Sequence, residues 1–263
     1  MTQQLTTPAI VVFDIDGVVR DVGGSYRRAL ADTVEYFTNK AYRPTSPDID
    51  QLKSEGIWNN DWEASQELIY RYFQSQGISR EELQLDYSTI VAFFQSRYRG
   101  LDPNNWTGYI CNEPLLLQPS YLEKLTQAGI SWGFFSGATR GSATYVLQTR
   151  LGLQSPVLIA MEDAPGKPDP TGLFDTVGLL EDGLDNTPAV IYVGDTVADM
   201  YTVVKAREIN PQRTWIGVGV LPPHVQETTA RSDAYGESLM KAGAAVVLNN
   251  VEQLNPAKIQ ELL

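Results

Sequence analysis

Four short polar segments hold the side chains of this sequence that could do chemistry. The first, Asp14-Ile15-Asp16-Gly17, follows an apolar run that is typical of a strand. Because side chains alternate along a strand, Asp14 and Asp16 point to the same side. Two carboxylates this close repel each other, and protonation of one or a bound cation relieves the repulsion. A polar turn that only ends the strand is the alternative interpretation.

Two further segments offer groups that suit a phosphate. Ser136-Gly137 ends an apolar run before a helix, where a hydroxyl and backbone N–H groups can bind phosphate oxygens. In Gly-Lys-Pro-Asp-Pro, Asp169 can cap the next helix with Pro170 in its first turn, which leaves Lys167 without a structural task. Its ammonium could neutralise both a carboxylate and a phosphate. An ordinary turn and a solvated surface lysine are the alternatives.

The fourth segment carries two more carboxylates. Asp195 ends an apolar run, and Asp199 lies in the first turn of the helix that follows. Mg²⁺ prefers oxygen ligands, so this segment could complete a metal site begun by Asp14. Helix capping is the alternative, since Asp is favoured in the first turn of a helix.

The elements around these segments predict a parallel sheet with helices on its faces, because short apolar runs alternate with helix-like stretches. The predicted strands are Ala9–Phe13, Ile130–Phe135, Val157–Ala160, Ala189–Val193, Trp215–Val218 and Ala244–Leu248. Sheets of this kind bind ligands at the carboxyl ends of their strands. The polar segments after these runs are therefore expected at one edge of the sheet.

Residues 21–108 break this alternation. They contain apolar residues at helical spacing, such as Leu30, Val34 and Phe37, and no strand-like run. Ser79 and Glu82 have the spacing of a capping box and predict a helix start. We expect an all-helical cap domain at 21–108, inserted after the first strand and closing over a core formed by residues 1–20 and 109–263.

Composition excludes several classes of function. The net charge of −12 over 263 residues disfavours binding to nucleic acid or to an anionic membrane. Cys111 cannot form an internal disulfide, and His224 is the only histidine, so chemistry that needs two histidine ligands or a buried Ser/His pair is disfavoured. With no secretory signal pattern and no membrane-spanning run, the chain is expected in the cytoplasm, with carboxylates as its reactive groups.

In their order along the chain, the four segments resemble the motifs of the haloacid dehalogenase superfamily of phosphotransferases. The matching residues are Asp14-Ile15-Asp16-Gly17-Val18, Ser136, Lys167 in Gly-Lys-Pro, and Gly194-Asp195 with Asp199. The helical insertion resembles the subfamily I arrangement with a helical cap. The resemblance implies a doubly wound, Rossmann-like α/β core and a Mg²⁺-dependent phosphatase that acts on a small phosphorylated metabolite.

The same resemblance implies a role for each matching residue. Asp14 is the nucleophile, Asp16 is the general acid and base, and Ser136, beside Gly137, holds phosphoryl oxygens together with Lys167. The implied metal ligands are Asp14, the main-chain carbonyl of Asp16, and Asp195, with Asp199 in support. The presence of Asp16 disfavours a dehalogenase, which typically lacks the second aspartate.

Two rival functions stay open at this point, and so does the choice of substrate. A phosphomutase would keep both aspartates, and a non-catalytic binding protein or receiver-like switch could share the fold. Arg20 lies in a more basic segment than is common after the first motif, and Asn60 and Trp62 lie in an indole- and amide-rich stretch of the cap. We expect these three residues to contact the substrate, with helix capping by Asn60 and core packing of Trp62 as alternatives.

Overall fold

The computed structural model of the chain describes residues 9–58, 60–181 and 187–263. Within these residues, six parallel strands form one sheet in the order β3-β2-β1-β4-β5-β6. The strands are β1 (Ala9–Phe13), β2 (Ser131–Phe135), β3 (Leu158–Ile159), β4 (Ala189–Gly194), β5 (Trp215–Val220) and β6 (Ala244–Leu248). Each predicted run overlaps one of them, although β4 and β5 extend one and two residues beyond the predicted ends, and the parallel, doubly wound α/β fold is confirmed.

The described helices follow the strands or lie in one insertion between β1 and β2. They are α1 (Tyr26–Phe37), α2 (Ser46–Lys53), α3 (Asp61–Ser75), α4 (Tyr87–Tyr98), α5 (Pro119–Gln127), α6 (Arg140–Thr144), α7 (Thr171–Glu181), α8 (Val197–Ile209), α9 (Thr229–Lys241) and α10 (Pro256–Leu262). None of these helices has the length and hydrophobicity that a membrane crossing requires.

The hydrophobic core around the sheet forms because the central strands are apolar on both faces. All five residues of β1 are buried, as expected for a parallel strand that is covered by helices on both sides. Leu173 and Val177 of α7 and Val203 of α8 pack into one cluster with strand residues such as Val12 and Tyr192. The three-and-four spacing of these helical residues is what brings one apolar face onto the sheet.

The chain divides into two compact units. One contains the residues up to Asp21 together with Pro114–Leu263, and the other is Val22–Glu113. The second unit holds α1–α4, and the described residues within it include no strand, which confirms an all-helical insertion after β1. One helix start within it was wrongly predicted: Glu82 accepts a hydrogen bond from the Ser79 N–H at 2.8 Å, but the next helix begins at Tyr87 and is capped by Asp86.

Strand register decides which residues meet at the carboxyl edge of the sheet. Phe13 pairs with Phe134 of β2 and with Val193 of β4. The Asp14 N–H continues the ladder by donating to the Val193 carbonyl at 2.8 Å. The residues that follow these three strands therefore lie at the same edge.

Candidate active site

Asp14 and Lys167 form an ion pair at the carboxyl edge of β1. The Nζ atom of Lys167 lies 2.8 Å from Oδ1 of Asp14, and the two side chains are only 11 % and 8 % exposed. Lys167 comes from the loop between β3 and α7, so the fold joins residues that are far apart in sequence. The sequence-based expectation that Lys167 neutralises a carboxylate at this edge agrees with this geometry.

Lys167 is held from two further sides. Its Nζ donates to Oδ1 of Asp199 at 2.7 Å. The rings of Phe135 and Tyr192 lie below the ammonium, at 5.2 Å and 5.4 Å from their centroids, which is within cation–π range. Two carboxylates and two aromatic rings thus hold the ammonium of Lys167 in one position.

Asp199 is itself anchored through both carboxylate oxygens. Its Oδ2 accepts from the N–H of Thr196 at 2.9 Å and from its hydroxyl at 2.7 Å. The Asp199 N–H donates in return to the Thr196 hydroxyl at 3.3 Å, which completes a capping box at the start of α8. Its Oδ1 accepts from the Tyr192 hydroxyl at 3.0 Å as well as from Lys167. Helix capping and the support of Lys167 therefore both occur at this residue.

The side chains of Asp195 and Asp199 each lie unusually close to the backbone of a glycine. A Cβ on Gly17, which has a φ of +75°, would lie 2.0 Å from Oδ2 of Asp195, so only glycine allows the loop after Asp16 to pass there. A Cβ on Gly194 would lie 2.3 Å from the Cβ of Asp199. These two glycines let the aspartates of β1 and β4 crowd into one site.

The net pKa shifts of these three aspartates differ in direction, although burial raises the pKa of each one. The pKa of Asp14 is raised to about 7, mainly by burial and also by Asp199 and Asp16, although Lys167 opposes the rise. The pKa of Asp195 lies well above its ordinary value, through burial and then through Asp199 and Asp14. Burial would also raise the pKa of Asp199, but Lys167 and Thr196 outweigh it and lower the pKa.

Lys167 keeps its proton in the same environment. Burial alone would lower the pKa of its ammonium, but the charges of Asp14 and Asp199 and their hydrogen bonds outweigh burial and raise the pKa above its usual range. The lysine is therefore a permanent positive charge beside Asp14.

The donor set fits a divalent cation. One carboxylate oxygen from each of Asp14, Asp195 and Asp199 lies within 4.8 Å of the other two. When all three are ionised, the ammonium of Lys167 compensates one of their charges and two remain, in a site where uncompensated charge is costly. Both oxygens of Asp199 are already hydrogen-bonded, so Asp14 and Asp195 would have more free oxygen atoms to offer a cation.

Ser136 and Gly137 follow β2 at the same edge. Ser136 is buried; its N–H donates to the Ile159 carbonyl at 3.0 Å, and its Oγ accepts from the Ala138 N–H at 3.1 Å. An Oγ that accepts here can still donate its own proton. Gly137 is exposed, and no heavy atom lies within 4 Å of where a Cβ would be. The expectation that this pair binds phosphoryl oxygens stays a prediction.

Asp16 and Arg20 pair with each other. The Nε atom of Arg20 donates to Oδ1 of Asp16 at 2.6 Å. The side chain of Arg20 has no exposed surface, whereas that of Asp16 is 29 % exposed. From the sequence we expected Arg20 to contact substrate, but in the structure its side chain has no exposed surface and is bonded to Asp16, so that expectation needs correction.

Asn60 and Trp62 lie at the start of α3. Oδ1 of Asn60 accepts from the Trp62 N–H at 2.9 Å and caps the helix, which was the structural alternative for this residue. Trp62 is half-buried. Contact of either side chain with substrate remains a prediction.

Three positioning residues were missed in the sequence: Tyr192, Thr196 and Phe135. Tyr192 lies within an otherwise apolar central strand, where a buried hydroxyl must find a partner, and that requirement was the available signal. Thr196 precedes Asp199 at capping-box spacing, which was a second signal. No pattern in the sequence distinguished Phe135 from the other core aromatics.

Comparison with known proteins agrees with this geometry. Residues 8–206 match the family described as haloacid dehalogenase-like hydrolase. A protein of Phytophthora nicotianae named imidazoleglycerol-phosphate dehydratase is 30 % identical over 247 residues, which is 90 % of this chain and 49 % of that protein. The chain therefore spans about half the length of this relative.

Solved structures share the fold. Phosphatase Tt82 from Thermococcus thioreducens superposes with a TM-score of 0.65 at 22 % identity, covering 80 % of this chain and 92 % of its own. A phosphonoacetaldehyde hydrolase-like protein from Oleispira antarctica gives a TM-score of 0.69 at 17 % identity, covering 100 % and 94 %. At these identities the likeness supports the fold and no particular substrate.

Proposed function

Because the chain belongs to the haloacid dehalogenase-like hydrolases, we propose that it is a Mg²⁺-dependent phosphatase that transfers a phosphoryl group from a small phosphate ester to Asp14 and then to water. The observation that carries this proposal is the buried pair of Asp14 and Lys167, at 2.8 Å, beside Asp195. A carboxylate held next to a fixed ammonium is a suitable nucleophile for an anionic substrate, because the ammonium offsets the repulsion between them.

The first step is an in-line displacement at phosphorus. A carboxylate oxygen of Asp14 forms a bond to phosphorus, and the bond between phosphorus and the ester oxygen breaks. Asp16 gives its proton to the departing oxygen, so the leaving group departs as an alcohol. Lys167 and the Ser136–Gly137 turn stabilise the charge that spreads over the equatorial oxygens.

The second step returns the enzyme to its starting state. A water molecule gives a proton to Asp16, and the oxygen of that water attacks phosphorus. The bond between phosphorus and Asp14 then breaks, which releases inorganic phosphate. Asp14, Asp195 and the main-chain carbonyl of Asp16 would hold Mg²⁺, with Asp199 in support. When bound, this cation would neutralise charge on the phosphoryl oxygens.

The chemical class of substrate is a small phosphate monoester. The name of the Phytophthora relative refers to imidazoleglycerol phosphate, which is itself a phosphate ester, so imidazole-bearing esters belong in a substrate panel beside sugar, polyol and nucleoside phosphates. The net charge of −12 supports a small-molecule substrate and not nucleic acid.

The proposal is tested by phosphate release from p-nitrophenyl phosphate with Mg²⁺ and with EDTA. We expect release only with Mg²⁺ and none from Asp14→Asn, whose amide is a very poor nucleophile. Asp16→Asn should accumulate a phosphoryl group on Asp14 that intact-protein mass spectrometry detects and hydroxylamine removes.

Several results would contradict the proposal. Turnover by Asp14→Asn, or full activity in EDTA, would overturn the nucleophile or the metal assignment. Formation of an isomeric phosphosugar without free phosphate would favour the phosphomutase alternative. No phosphate release from any ester of the panel would favour a binding function.

A further inference from the structure

Arg20 is a fully buried arginine at a site already rich in charge. Its side chain has no exposed surface, and its Nε lies 2.6 Å from Oδ1 of Asp16. Taking a guanidinium out of water is costly unless a partner of opposite charge compensates it. Asp16 is such a partner, and it is also the proposed general acid and base.

The backbone between the two residues turns sharply and returns Arg20 to Asp16. The N–H groups of Val19 and Arg20 both donate to the Ile15 carbonyl, at 2.7 Å and 3.1 Å. The Gly17 N–H donates to the Arg20 carbonyl at 2.9 Å, and the two segments form a bridge between Asp16 and Arg20. The pair is thus built into the loop that follows β1.

A second segment, residues 114–116, holds the backbone of Arg20 from the other side. Arg20 forms an antiparallel bridge with Leu115. The Leu116 N–H donates to the Val19 carbonyl at 2.8 Å, and the Asp21 N–H donates to the Pro114 carbonyl at 2.9 Å. The backbone that carries the guanidinium is therefore held on both sides of the residue.

We propose that Arg20 is a positioning residue that fixes the carboxyl group of Asp16 for proton transfer. The charge-assisted bond engages one oxygen, Oδ1, and restricts rotation of the side chain, while part of the carboxyl group stays exposed toward solvent. This proposal rests on the proposed phosphatase function. It assigns Arg20 no contact with substrate.

The consequence depends on the leaving group. An alkoxide needs the proton of Asp16 to depart, whereas p-nitrophenolate departs without one. If Arg20 positions Asp16, its loss must reduce hydrolysis of an alkyl phosphate far more than that of p-nitrophenyl phosphate. If the pair only stabilises the fold, both substrates must lose activity in the same proportion.

The experiment compares kcat/KM for glycerol phosphate and p-nitrophenyl phosphate in Arg20→Gln, Arg20→Lys, Asp16→Asn and the Arg20→Gln/Asp16→Asn double variant. We expect each Arg20 variant to lose at least tenfold more on the alkyl ester than on the aryl ester. The ratio of kcat/KM for the aryl ester to that for the alkyl ester should be no higher in the double variant than in Asp16→Asn alone, because both changes remove the same proton transfer. With the aryl ester, Arg20→Gln should also accumulate phosphoryl-Asp14, since water attack needs Asp16 as a base.

Arg213→Gln is the matched control. Arg213 is a buried arginine of the same unit that pairs with Glu181, and it precedes β5 at the opposite edge of the sheet. Its loss should lower the melting temperature without changing the ratio of the two kcat/KM values. Arg20→Lys retains the buried positive charge, so it still tests the positioning role of Arg20 if Arg20→Gln does not fold.

The outcomes separate this inference from the function on which it rests. Equal losses on both esters in the Arg20 variants, or additive effects in the double variant, would overturn the positioning role of Arg20. The proposed phosphatase function would still be supported by the activity of the wild-type protein and the inactivity of Asp14→Asn. If the wild-type protein hydrolyses neither ester nor any other member of the panel, both proposals fall.

Discussion

Raising the pH from 5 to 8 in EDTA should destabilise the metal-free protein, and Mg²⁺ should reverse the effect. The pKa of Asp14 is about 7 in the folded protein against an ordinary value of 3.8. A carboxyl group whose folded pKa is raised stabilises the protein while it stays protonated, and that contribution is lost as the pH rises through the folded pKa. Asp195, whose pKa is also raised, acts in the same direction.

The size of the effect follows from this shift. One pKa unit corresponds to about 1.4 kcal/mol, so the titration of Asp14 between pH 5 and 8 should lower the free energy of unfolding by about 2.5 kcal/mol. For a protein of this size that is a fall in melting temperature of roughly 5–10 °C. Carboxyl groups with lowered pKa values, such as Glu55 and Asp199, are already ionised at pH 5 and do not contribute in this window.

The assay is differential scanning fluorimetry at pH 5 and 8, in EDTA and in Mg²⁺. We expect the melting temperature in EDTA to fall with pH, Mg²⁺ to raise it at pH 8, and little effect of Mg²⁺ at pH 5, where a protonated Asp14 cannot bind the ion. Asp14→Asn should remove the part of the pH dependence that Asp14 contributes. An equal response to Mg²⁺ at both pH values, or an unchanged pH slope in Asp14→Asn, would refute the reasoning.

Two further substitutions test the positioning residues and the cap. Tyr192→Phe removes a buried hydroxyl that donates to Asp199 at 3.0 Å, and it should lower the free energy of unfolding by about 1–2 kcal/mol; Tyr201→Phe, at an exposed tyrosine, is the control and should have no effect. Asn60→Ala should cost about 1 kcal/mol because it removes the helix cap, and Asn60→Asp should restore it. A loss of kcat/KM confined to the physiological substrate, with unchanged stability, would instead support substrate contact by Asn60.

The sequence predicted the site best where chemistry and backbone pattern coincide. Asp14 and Asp195 follow short apolar runs of the kind that predicts buried parallel strands, and parallel strands bring their carboxyl ends to one edge. Hence the meeting of these acidic residues at one edge of the sheet could be predicted without coordinates, whereas their roles as nucleophile and metal ligand stay predictions. The helical insertion was equally clear, because apolar residues such as Leu30 and Val34 recur at helical spacing.

Predictions from short sequence patterns failed where one pattern is compatible with two local structures. Ser79 and Glu82 make the predicted hydrogen bond, yet a turn and not a helix follows them, since a capping box also stabilises an isolated turn. Asn60 could be a ligand-binding amide or a helix cap, and its backbone position at the start of α3 made it a cap. Such choices depend on packing that lies outside a local window.

By itself the sequence determined the order of the strands along the chain, the helical insertion and the set of acidic and basic groups that follow the strands, because these depend on periodicity and on residue type. Only the tertiary structure decided which charges meet. Lys167 reaches both Asp14 and Asp199 across the sheet edge, and Arg20 turns inward onto Asp16 and not outward toward a ligand. The physical reason is that a buried charge must be compensated locally, and the nearest opposite charge is set by strand register and loop path, which no short stretch of sequence contains.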